Sequence, residues 1–577
     1  MLLIKRLSYL IVIEWIFFLT FFTMNSVPPK RKELFYIVRM IISDLNKSRG
    51  KRDLIMEFKL DFLLSTVLVL VLYSIIITTT SIAANGAVFA VEYLDVPAGI
   101  ASGDVTSDSV VLWSKSNSTS LMNIDYSLDP NFSNYTHQTI LVDRTTEFSG
   151  HSKLNDLIAN STYYYKIWFS DILNSSKVSK TLLGQFKTAP LENAEEKITF
   201  AVGGDLGGQG FCRREEIGYF IFSVIKALKP DFFVANGDMI YADDTCPQGG
   251  PPGVKGWQNI PGLFPTVLNN SVDWNNISDV RPIYLAHWDY NKADKHYQNL
   301  YSNIPIYSQT DDHEVADNYD GNSSFYKEAF KNRTGYKNIV YEGLRSFFLY
   351  SPIESYSEDP HRIYRSFNWG LYADFFLLDS HQYRTTGSIA ESSITNKTIL
   401  GKSQLEWLKH SIRNSDTTWK IILNDVPVTI PHCFSDQKLN KSRCDNWATD
   451  NKSIATFTKE RNDFMNYLDK NDIRNVIFIV TDVHHPANVL VDHDFDGDGD
   501  RLRFYELLSG PLSAKTNIPQ PLDPTINATY LYKETGFFNF GFYEITKQAD
   551  NKIHLISQIY TGDGLIRSNS ILDIVAE

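Results

Sequence analysis

The sequence predicts an α/β layered domain that follows a small all-β domain, and three observations lead to this assignment. Six short apolar runs between residues 198 and 480 each end in a cluster of Asp, Asn or His. A run that is apolar at nearly every position is typical of a strand buried on both faces. From Lys197 onward these runs alternate with helical patterns, whereas residues 95–190 hold short β-rich segments between polar turns. The alternation indicates layered α/β structure, and the β-rich region indicates an antiparallel sandwich.

The individual elements follow in chain order. The first region has β segments at Val110–Trp113, Asn123–Ser127, Tyr163–Phe169 and Thr181–Phe186, and residues 190–194 form a linker. The second region has apolar runs at Ile198–Val202, Phe232–Ala235, Ile304–Tyr307, Phe375–Leu378, Ile421–Leu423 and Val476–Val480. Helical patterns include Gly218–Leu228, Gln404–Arg413 and Thr456–Leu468. We therefore predict a hydrophobic targeting region at 1–94, a β-sandwich at 95–190 and an α/β domain at 196–577.

Two hydrophobic stretches lie in the targeting region. Tyr9–Met24 contains Glu14, whereas Leu63–Ala84 carries no charge and ends in small residues. A small-residue exit from an apolar run is the pattern that signal peptidase cleaves, so we predict a signal peptide near 57–84. A retained single-pass anchor at 63–84 is the alternative, because that length can span a bilayer. Met56, directly upstream, is a second candidate for the start of the chain.

Composition and cysteine usage indicate a secreted protein. The net charge of −12 argues against a broad nucleic-acid-binding surface. Thirteen Asn-x-Ser/Thr sequons between Asn117 and Asn527 indicate a glycosylated surface. The cysteine count of four is even, which predicts two disulfides, Cys212–Cys246 and Cys433–Cys444. Free thiols or a metal-bound cysteine are the alternative.

The residues that follow the apolar runs are mostly acids and imidazoles. They include Asp205, Asp238, Tyr241, Asp311, Asp312, His313, Asp379, Asp425, Asp482 and His484. Ligands bind beyond the carboxyl ends of strands in open α/β sheets, so we expect these side chains to converge at one sheet edge. Acids gathered in one place repel each other unless a cation neutralises them, and carboxylates shared between ions are typical of two-metal sites. Tyr241 indicates ferric iron, because a phenol with an ordinary pKa of about 10 needs a strong Lewis acid to bind as phenolate.

Five of the segments around these residues form motifs in a fixed order. They are Gly237-Asp238-Met239-Ile240-Tyr241, Asp311-Asp312-His313-Glu314-Val315, Leu378-Asp379-Ser380-His381-Gln382-Tyr383-Arg384, Thr481-Asp482-Val483-His484 and Ser509-Gly510-Pro511-Leu512. Together they resemble the catalytic domain of the calcineurin-like metallophosphoesterase superfamily, specifically the PhoD-type alkaline phosphatase/phosphodiesterase family. Residues 97–106 and 109–113 resemble the start of that family's N-terminal domain. The resemblance implies a sandwich of two β-sheets flanked by helices, preceded by an immunoglobulin-like all-β domain.

The resemblance also implies a binuclear metal centre. One ion, ferric iron, would be held by Asp205, Asp238, Tyr241 and His484. Asp238 would bridge to a second, divalent ion (Ca²⁺, Zn²⁺ or Mn²⁺), which would also be bound by Asp312, Asp425 and Asp482. Asn318 is an alternative to Asp425. A metal-bound hydroxide would attack phosphorus, and His313 would act as an acid or electrostatic stabiliser beside the leaving-group oxygen.

The implied function is a secreted hydrolase of small phosphomonoesters or phosphodiesters. A phospholipase D-type or nucleotide phosphodiesterase is the alternative within enzymes, and a non-catalytic surface-binding protein is the alternative outside them. Membrane contact is expected only if residues 63–84 remain as an anchor. The sequence does not define the oligomeric state, the pH optimum or the choice between monoester and diester.

Two segments depart from the family pattern or leave a second interpretation open. PhoD-type enzymes usually place a Cys ligand after the first strand, but Gly203-Gly204-Asp205-Leu206-Gly207 resembles the first motif of purple acid phosphatases instead. Asp492–Asp500 resembles a calcium loop in its alternating acids, but Arg503 stands where the bidentate Glu belongs. A solvated turn is therefore the favoured interpretation of that loop. Asp311, Asp312 and Asp379 could also serve as helix caps.

Overall fold

The computed structural model describes residues 93–320, 334–385, 390–393, 396–436 and 441–577. The predicted targeting region lies almost entirely outside these ranges, so the signal peptide, the anchor and the two candidate starts stay predictions. Within the described ranges, every helix is too short or too polar to cross a bilayer.

Strands dominate the described chain. They are β1 Ile100–Gly103, β2 Val110–Lys115, β3 Ser120–Ser127, β4 Thr136–Val142, β5 Ser149–Leu154, β6 Thr162–Ser170, β7 Leu182–Lys187, β8 Ile198–Gly203, β9 Phe232–Asn236, β10 Ile306–Gln309, β11 Arg365–Trp369, β12 Ala373–Leu377, β13 Trp419–Asn424, β14 Cys433–Asp436, β15 Lys441–Cys444, β16 Val476–Val480, β17 Ala487–His493, β18 Leu502–Leu508, β19 Ala528–Lys533, β20 Asn539–Lys547, β21 Ile553–Thr561 and β22 Leu572–Val575. The helices are α1 Ile221–Leu228, α2 Ile277–Lys292, α3 Lys295–Tyr301, α4 Tyr336–Tyr350, α5 Gly401–Arg413 and α6 Thr458–Lys470.

Two large mixed sheets form the centre of the fold. One has nine strands in the order β22-β21-β20-β8-β9-β10-β1-β2-β5, and the other has seven in the order β11-β12-β13-β16-β18-β17-β19. Helices α1 to α4 share an apolar cluster with the outer face of the first sheet, and α5 and α6 share one with the outer face of the second. A third cluster joins the two inner faces. The predicted arrangement of two sheets flanked by helices is confirmed.

The six apolar runs all form strands that are buried on both faces, as predicted. In β12, Phe375 faces the other sheet, whereas Phe376 packs under the helices on the outer side. Phe375 meets Phe200 of β8 edge to face, with ring centroids 5.1 Å apart, which ties the sheets together. We expected all six strand ends to meet at the edge of one sheet, and this is wrong, because three of the runs lie in each of the two sheets. The site is therefore built where the strand ends of two stacked sheets meet.

The N-terminal β region is continuous with the larger sheet. Four of its strands form a separate sheet in the order β4-β3-β6-β7, whereas β1, β2 and β5 extend the nine-stranded sheet. The junction is a parallel pairing of β1 with β10, in which Gly103 lies opposite Ile306. All of these elements are strands, in agreement with the predicted all-β character. The predicted boundaries of the two domains, at residues 95–190 and 196–577, stay predictions.

Lys292 is a buried cation beside the junction between β2 and the helices. Its side-chain nitrogen lies 4.3 Å from the ring centroid of Trp113, 5.0 Å from that of Tyr297 and 4.9 Å from that of Tyr301. Burial lowers the pKa of Lys292 to about 7, because an aromatic cage compensates only part of the lost hydration. The unfolded chain therefore binds more protons than the folded protein between about pH 7 and the ordinary lysine pKa of about 10.4.

Stability is consequently expected to rise with pH across that window, by up to about 1.4 kcal/mol per pH unit from this one group. Lys292→Met removes the titrating group. The free energy of unfolding of the variant should therefore exceed that of the wild type most at pH 7, and this difference should shrink towards pH 9. Urea unfolding at pH 7, 8 and 9 measures this, with Lys402→Met as the control because Lys402 is 88% exposed. Parallel stability profiles for wild type and Lys292→Met would contradict the prediction.

Candidate metal centre

The acidic and imidazole side chains lie in the loops that follow strands of both sheets. Asp205 and Asp238 follow β8 and β9, whereas Asp482 and His484 follow β16. All four have left-handed backbone conformations, with φ of +60°, +52°, +72° and +57° respectively. Such conformations are costly for residues other than glycine and concentrate at functional sites. The backbone is thus bent sharply at each of these positions.

Two glycines allow these loops to approach each other. A Cβ on Gly204 would lie 2.7 Å from the carbonyl oxygen of Gly237, in the loop that carries Asp238. A Cβ on Gly208 would lie 2.5 Å from the ring of Tyr241. Only glycine fits at either position, so the loops after β8 and β9 can pack directly against one another.

A first cluster contains Asp205, Asp238 and His484, each with a ligand atom within 4.8 Å of the others. His484 Nε2 lies 3.5 Å from Asp205 Oδ1 and 3.0 Å from the hydroxyl of Tyr241. His484 Nδ1 donates to the Lys515 carbonyl oxygen at 2.6 Å, which leaves Nε2 as the nitrogen with a lone pair. The four side chains predicted to hold one ion are therefore brought together.

A second cluster contains Asp238, Asp312 and His313. Asp238 belongs to both clusters, as a carboxylate shared between two ions would. Its Oδ1 accepts a hydrogen bond of 3.0 Å from the backbone N–H of His313. Asp312 Oδ2 accepts from the backbone N–H of Asn318. Asn318 is the alternative ligand to Asp425. Its side-chain nitrogen donates a hydrogen bond to Asp317 Oδ1 at 2.7 Å.

Asp425 and Asp482 lie beside these clusters. Asp425 groups with Asp311 and His381, and His381 Nε2 is 2.9 Å from Asp311 Oδ1 and 3.9 Å from Asp425 Oδ2. Asp482 is outside the groups within 4.8 Å found among the described residues. Burial raises the pKa of both Asp205 and Asp311, and the nearby charge of Asp482 raises it further. Asp311 was expected to converge with the other acids but was not assigned to either ion, and His381 was not singled out from its motif. Their places in two of the quoted motifs could have drawn attention to them.

The donor set fits metal ions. Both carboxylate oxygens of Asp205 are buried without a hydrogen-bond partner, as are Oδ2 of Asp482 and Oδ1 of Asp425. Burial raises the pKa of Asp482 to about 8 and that of Asp425 to about 7. Unpartnered buried carboxylate oxygens are strongly unfavourable unless a cation or a proton neutralises them. Carboxylates with imidazole and phenol suit hard or borderline ions.

His313 is oriented by a carboxylate that the sequence did not identify. Its Nδ1 lies 2.7 Å from Asp243 Oδ1, and its ring packs on Tyr241 with centroids 4.2 Å apart. Burial disfavours the imidazolium, but the charges of Asp243, Asp312 and Asp238 together raise the pKa of His313 well above its ordinary value. The ring is thus held in one orientation at the edge of the second cluster. In the sequence, the acidic residue two positions after Tyr241 could have pointed to this role of Asp243.

Glu314 is another residue whose role the sequence did not reveal. It is buried, and its carboxylate accepts backbone hydrogen bonds from Asp238 at 3.1 Å, Met239 at 2.7 Å and Asp311 at 3.0 Å. Burial raises its pKa to about 7, against the opposing effect of these hydrogen bonds. One side chain therefore fixes the backbone of two loops that carry candidate ligands.

Both predicted disulfides are present in the structure, Cys212–Cys246 and Cys433–Cys444. Cys212–Cys246 joins the loops that follow Asp205 and Asp238. A bridged cysteine has no thiolate, so Cys212 cannot supply the sulfur ligand that PhoD-type enzymes usually place after the first strand. Asp205 occupies that position alone.

A cavity of about 910 Å³ opens beside the centre. Asp482 contributes to one wall, and Pro521, Leu522 and Ile518 provide apolar surface. Lys452 and Lys515 supply positive charge to its lining. The cavity is large enough for a small organic ligand, and Asp482 is the one candidate ligand among the described residues of its lining.

Two stacked sheets with acids and imidazoles gathered at their strand ends are the arrangement of a metallophosphoesterase-type fold. The model of the PhoD-like phosphatase family matches residues 200–551, and the model of its N-terminal domain matches residues 83–190. The chain belongs to the PhoD-like phosphatase family.

Individual relatives agree with this assignment. The chain is 25% identical over 423 residues to alkaline phosphatase D of Bacillus subtilis (strain 168), a match that spans 69% of this chain and 66% of that protein, just under two thirds of its length. A solved structure of PhoD is similar with a TM-score of 0.62 at 19% identity, covering 83% of this chain and 92% of that one. The solved structure of purple acid phosphatase PPD1 from yellow lupin (Lupinus luteus) is similar with a TM-score of 0.54 at 15% identity, covering 83% of this chain and 73% of that one. The two structures support the fold.

Proposed function

We propose that the protein hydrolyses phosphoesters at a centre of two metal ions, held by Asp205, Asp238, Tyr241 and His484 on one side and by Asp238, Asp312, Asp425 and Asp482 on the other. The observation that carries this proposal is the membership of Asp238 in both clusters. When bound, two such ions would activate a water molecule and neutralise the phosphoryl oxygens. The phosphatase name of the family agrees with this activity.

The side chains around the centre have separate roles in this proposal. His313, held by Asp243 at 2.7 Å, is placed to donate a proton to the leaving-group oxygen or to stabilise its negative charge. Glu314 keeps the Asp238 and Asp311 loops in position through its backbone hydrogen bonds. We find no Gly-x-Ser-x-Gly nucleophile motif in the sequence, so no covalent serine intermediate is invoked.

The experiment that tests the function is a substrate panel. Purified protein would be assayed with para-nitrophenyl phosphate as monoester, bis-para-nitrophenyl phosphate and a nucleotide cyclic phosphate as diesters, and a phosphatidylcholine. Hydrolysis of at least one ester that disappears in His313→Gln and Asp205→Asn would support the proposal. Folded, metal-loaded protein that hydrolyses none of them would favour the non-catalytic surface-binding alternative.

We also propose that the protein is secreted and glycosylated. Among the described residues, nine of the sequon asparagines are exposed and Asn117 is partly exposed, as attachment of a glycan requires. Asn322, Asn332 and Asn440 lie outside the described residues. Two disulfides are typical of an oxidising compartment. Peptide mapping of natively expressed protein, with and without glycosidase, would check this, and unmodified sequons with free thiols would contradict it.

Reduction of Cys212–Cys246 is expected to weaken activity before the protein unfolds. The bridge ties the loop after Asp205 to the loop after Asp238, while the apolar clusters of both sheets do not depend on it. We therefore expect Cys212→Ser/Cys246→Ser to lose at least about tenfold in kcat/KM with a small change in thermal stability. Activity and circular dichroism followed across the same temperatures would measure both. Full activity up to the unfolding temperature would contradict the prediction.

A further inference from the structure

His432 lines the same cavity as the candidate ligand Asp482, but neither the motifs nor the clusters above include it. It lies at the base of a hairpin formed by β14 and β15, directly before Cys433. Asp445 follows Cys444 on the opposite side of that base. The hairpin base therefore places a histidine and an aspartate opposite each other at the cavity wall.

Three contacts hold this base in place. Cys433 and Cys444 lie opposite each other in the strand register and are joined by the disulfide. The backbone N–H of Asp445 donates to the His432 carbonyl oxygen at 3.2 Å. The Asn446 side chain donates to the Ile430 carbonyl oxygen at 2.8 Å. The backbone on both sides of His432 is thus fixed.

The imidazole itself is oriented by Asp445. Its Nδ1 lies 3.4 Å from Asp445 Oδ2, and the carboxylate is buried while the His432 side chain is 49% exposed. The Asp445 charge raises the pKa of His432 above its ordinary value, so the ring is cationic at neutral pH. The lysines in the lining, Lys452 and Lys515, are exposed and flexible by comparison. His432 is therefore a cation of fixed position in the cavity whose lining includes the candidate ligand Asp482.

We propose that His432 is a substrate-binding residue, which Asp445 orients and the Cys433–Cys444 bridge positions, and which contacts an anionic oxygen of the bound phosphoester. This inference rests on the proposed function. A phosphate dianion needs positive groups beyond any metal ions, because the body of the protein is acidic. A charge-assisted hydrogen bond from a pre-positioned imidazolium meets that need without ordering a long side chain.

The test compares His432→Gln with the wild type by substrate kinetics and by calorimetric binding of inorganic phosphate. We expect KM and the phosphate Kd to rise about tenfold, with kcat changed by less than about threefold and metal content unchanged. His432→Lys should recover part of the affinity because it restores the positive charge. His410→Gln is the matched control, since His410 is exposed on α5 outside the cavity.

The roles of Asp445 and the disulfide are tested in combination with His432. Asp445→Asn and Cys433→Ser/Cys444→Ser should each raise KM, and neither should raise it further in the His432→Gln background. Unchanged KM and phosphate Kd in a folded His432→Gln protein would overturn the proposal. Loss of metal from that variant would overturn it as well, because His432 would then act on the centre. Phosphate binding is measured without turnover, so a wild type that binds phosphate but hydrolyses no ester would refute the proposed function alone.

Discussion

Replacing Asp238 by Asn is expected to reduce hydrolysis by at least about a thousandfold while the protein stays folded. Asp238 contributes to both clusters, so one substitution would disturb the placement of both ions. The amide has nearly the same volume as the carboxylate, and its Oδ1 can still accept from the His313 backbone, which argues against unfolding. Steady-state kinetics and elemental analysis on the same preparation would measure the effect.

The control for this variant is Asp496→Asn. Asp496 lies in the partly exposed acidic turn that resembles a calcium loop, in a group with Asp494 and Asp498 that is separate from the two clusters, and its substitution should leave hydrolysis unchanged. Thermal unfolding of both variants would establish that they remain folded. Near wild-type turnover in folded Asp238→Asn would rule out a shared carboxylate between two ions.

Tyr241→Phe is expected to remove a visible absorption band from the purified protein and to lower its iron content. The Tyr241 hydroxyl lies 3.0 Å from His484 Nε2, among the predicted ligands of the ferric ion. Burial raises the pKa of this phenol well above its ordinary value, so it would ionise only on binding a strong Lewis acid. The colour would come from charge transfer between phenolate and iron, which phenylalanine cannot provide.

The matched control is Tyr219→Phe. Tyr219 is also buried, and burial also raises its pKa well above the ordinary value, but its hydroxyl donates to the Asn291 side chain at 2.7 Å and not to a candidate metal ligand. This variant should keep the band and the iron. Active wild-type protein that contains other metals but no iron would contradict the assignment of Tyr241 as a phenolate ligand.

The strands could be predicted from the sequence because burial on both faces leaves a simple pattern. Phe232–Ala235 and Val476–Val480 are apolar at every position, and both form strands within a residue of the predicted bounds. Their partition into two sheets could not be predicted. It depends on pairings between distant segments, such as β8 with β20 and β12 with β13, and one sequence contains no direct signal of such pairings.

The candidate site was predicted to a similar extent. Asp205, Asp238, Tyr241 and His484 each follow a strand within a recognisable motif, and the structure brings them together. Glu314, Asp243 and His432 act through contacts with other loops, so their roles depend on tertiary structure rather than on local pattern. Asp425 was assigned to the second ion from the family resemblance, but the structure groups it with Asp311 and His381. The ligand assignments themselves stay predictions.

Metal removal and restoration tests the central claim most directly. Purified protein would be dialysed against a chelator, analysed for metal content and assayed for phosphoester hydrolysis, and then reassayed after addition of ferric iron with Ca²⁺, Zn²⁺ or Mn²⁺. The proposed function predicts two ions per chain before dialysis, loss of hydrolysis in step with their removal, and recovery on restoration. Undiminished hydrolysis by folded, metal-free protein would contradict a metal-dependent centre at Asp205, Asp238 and His484.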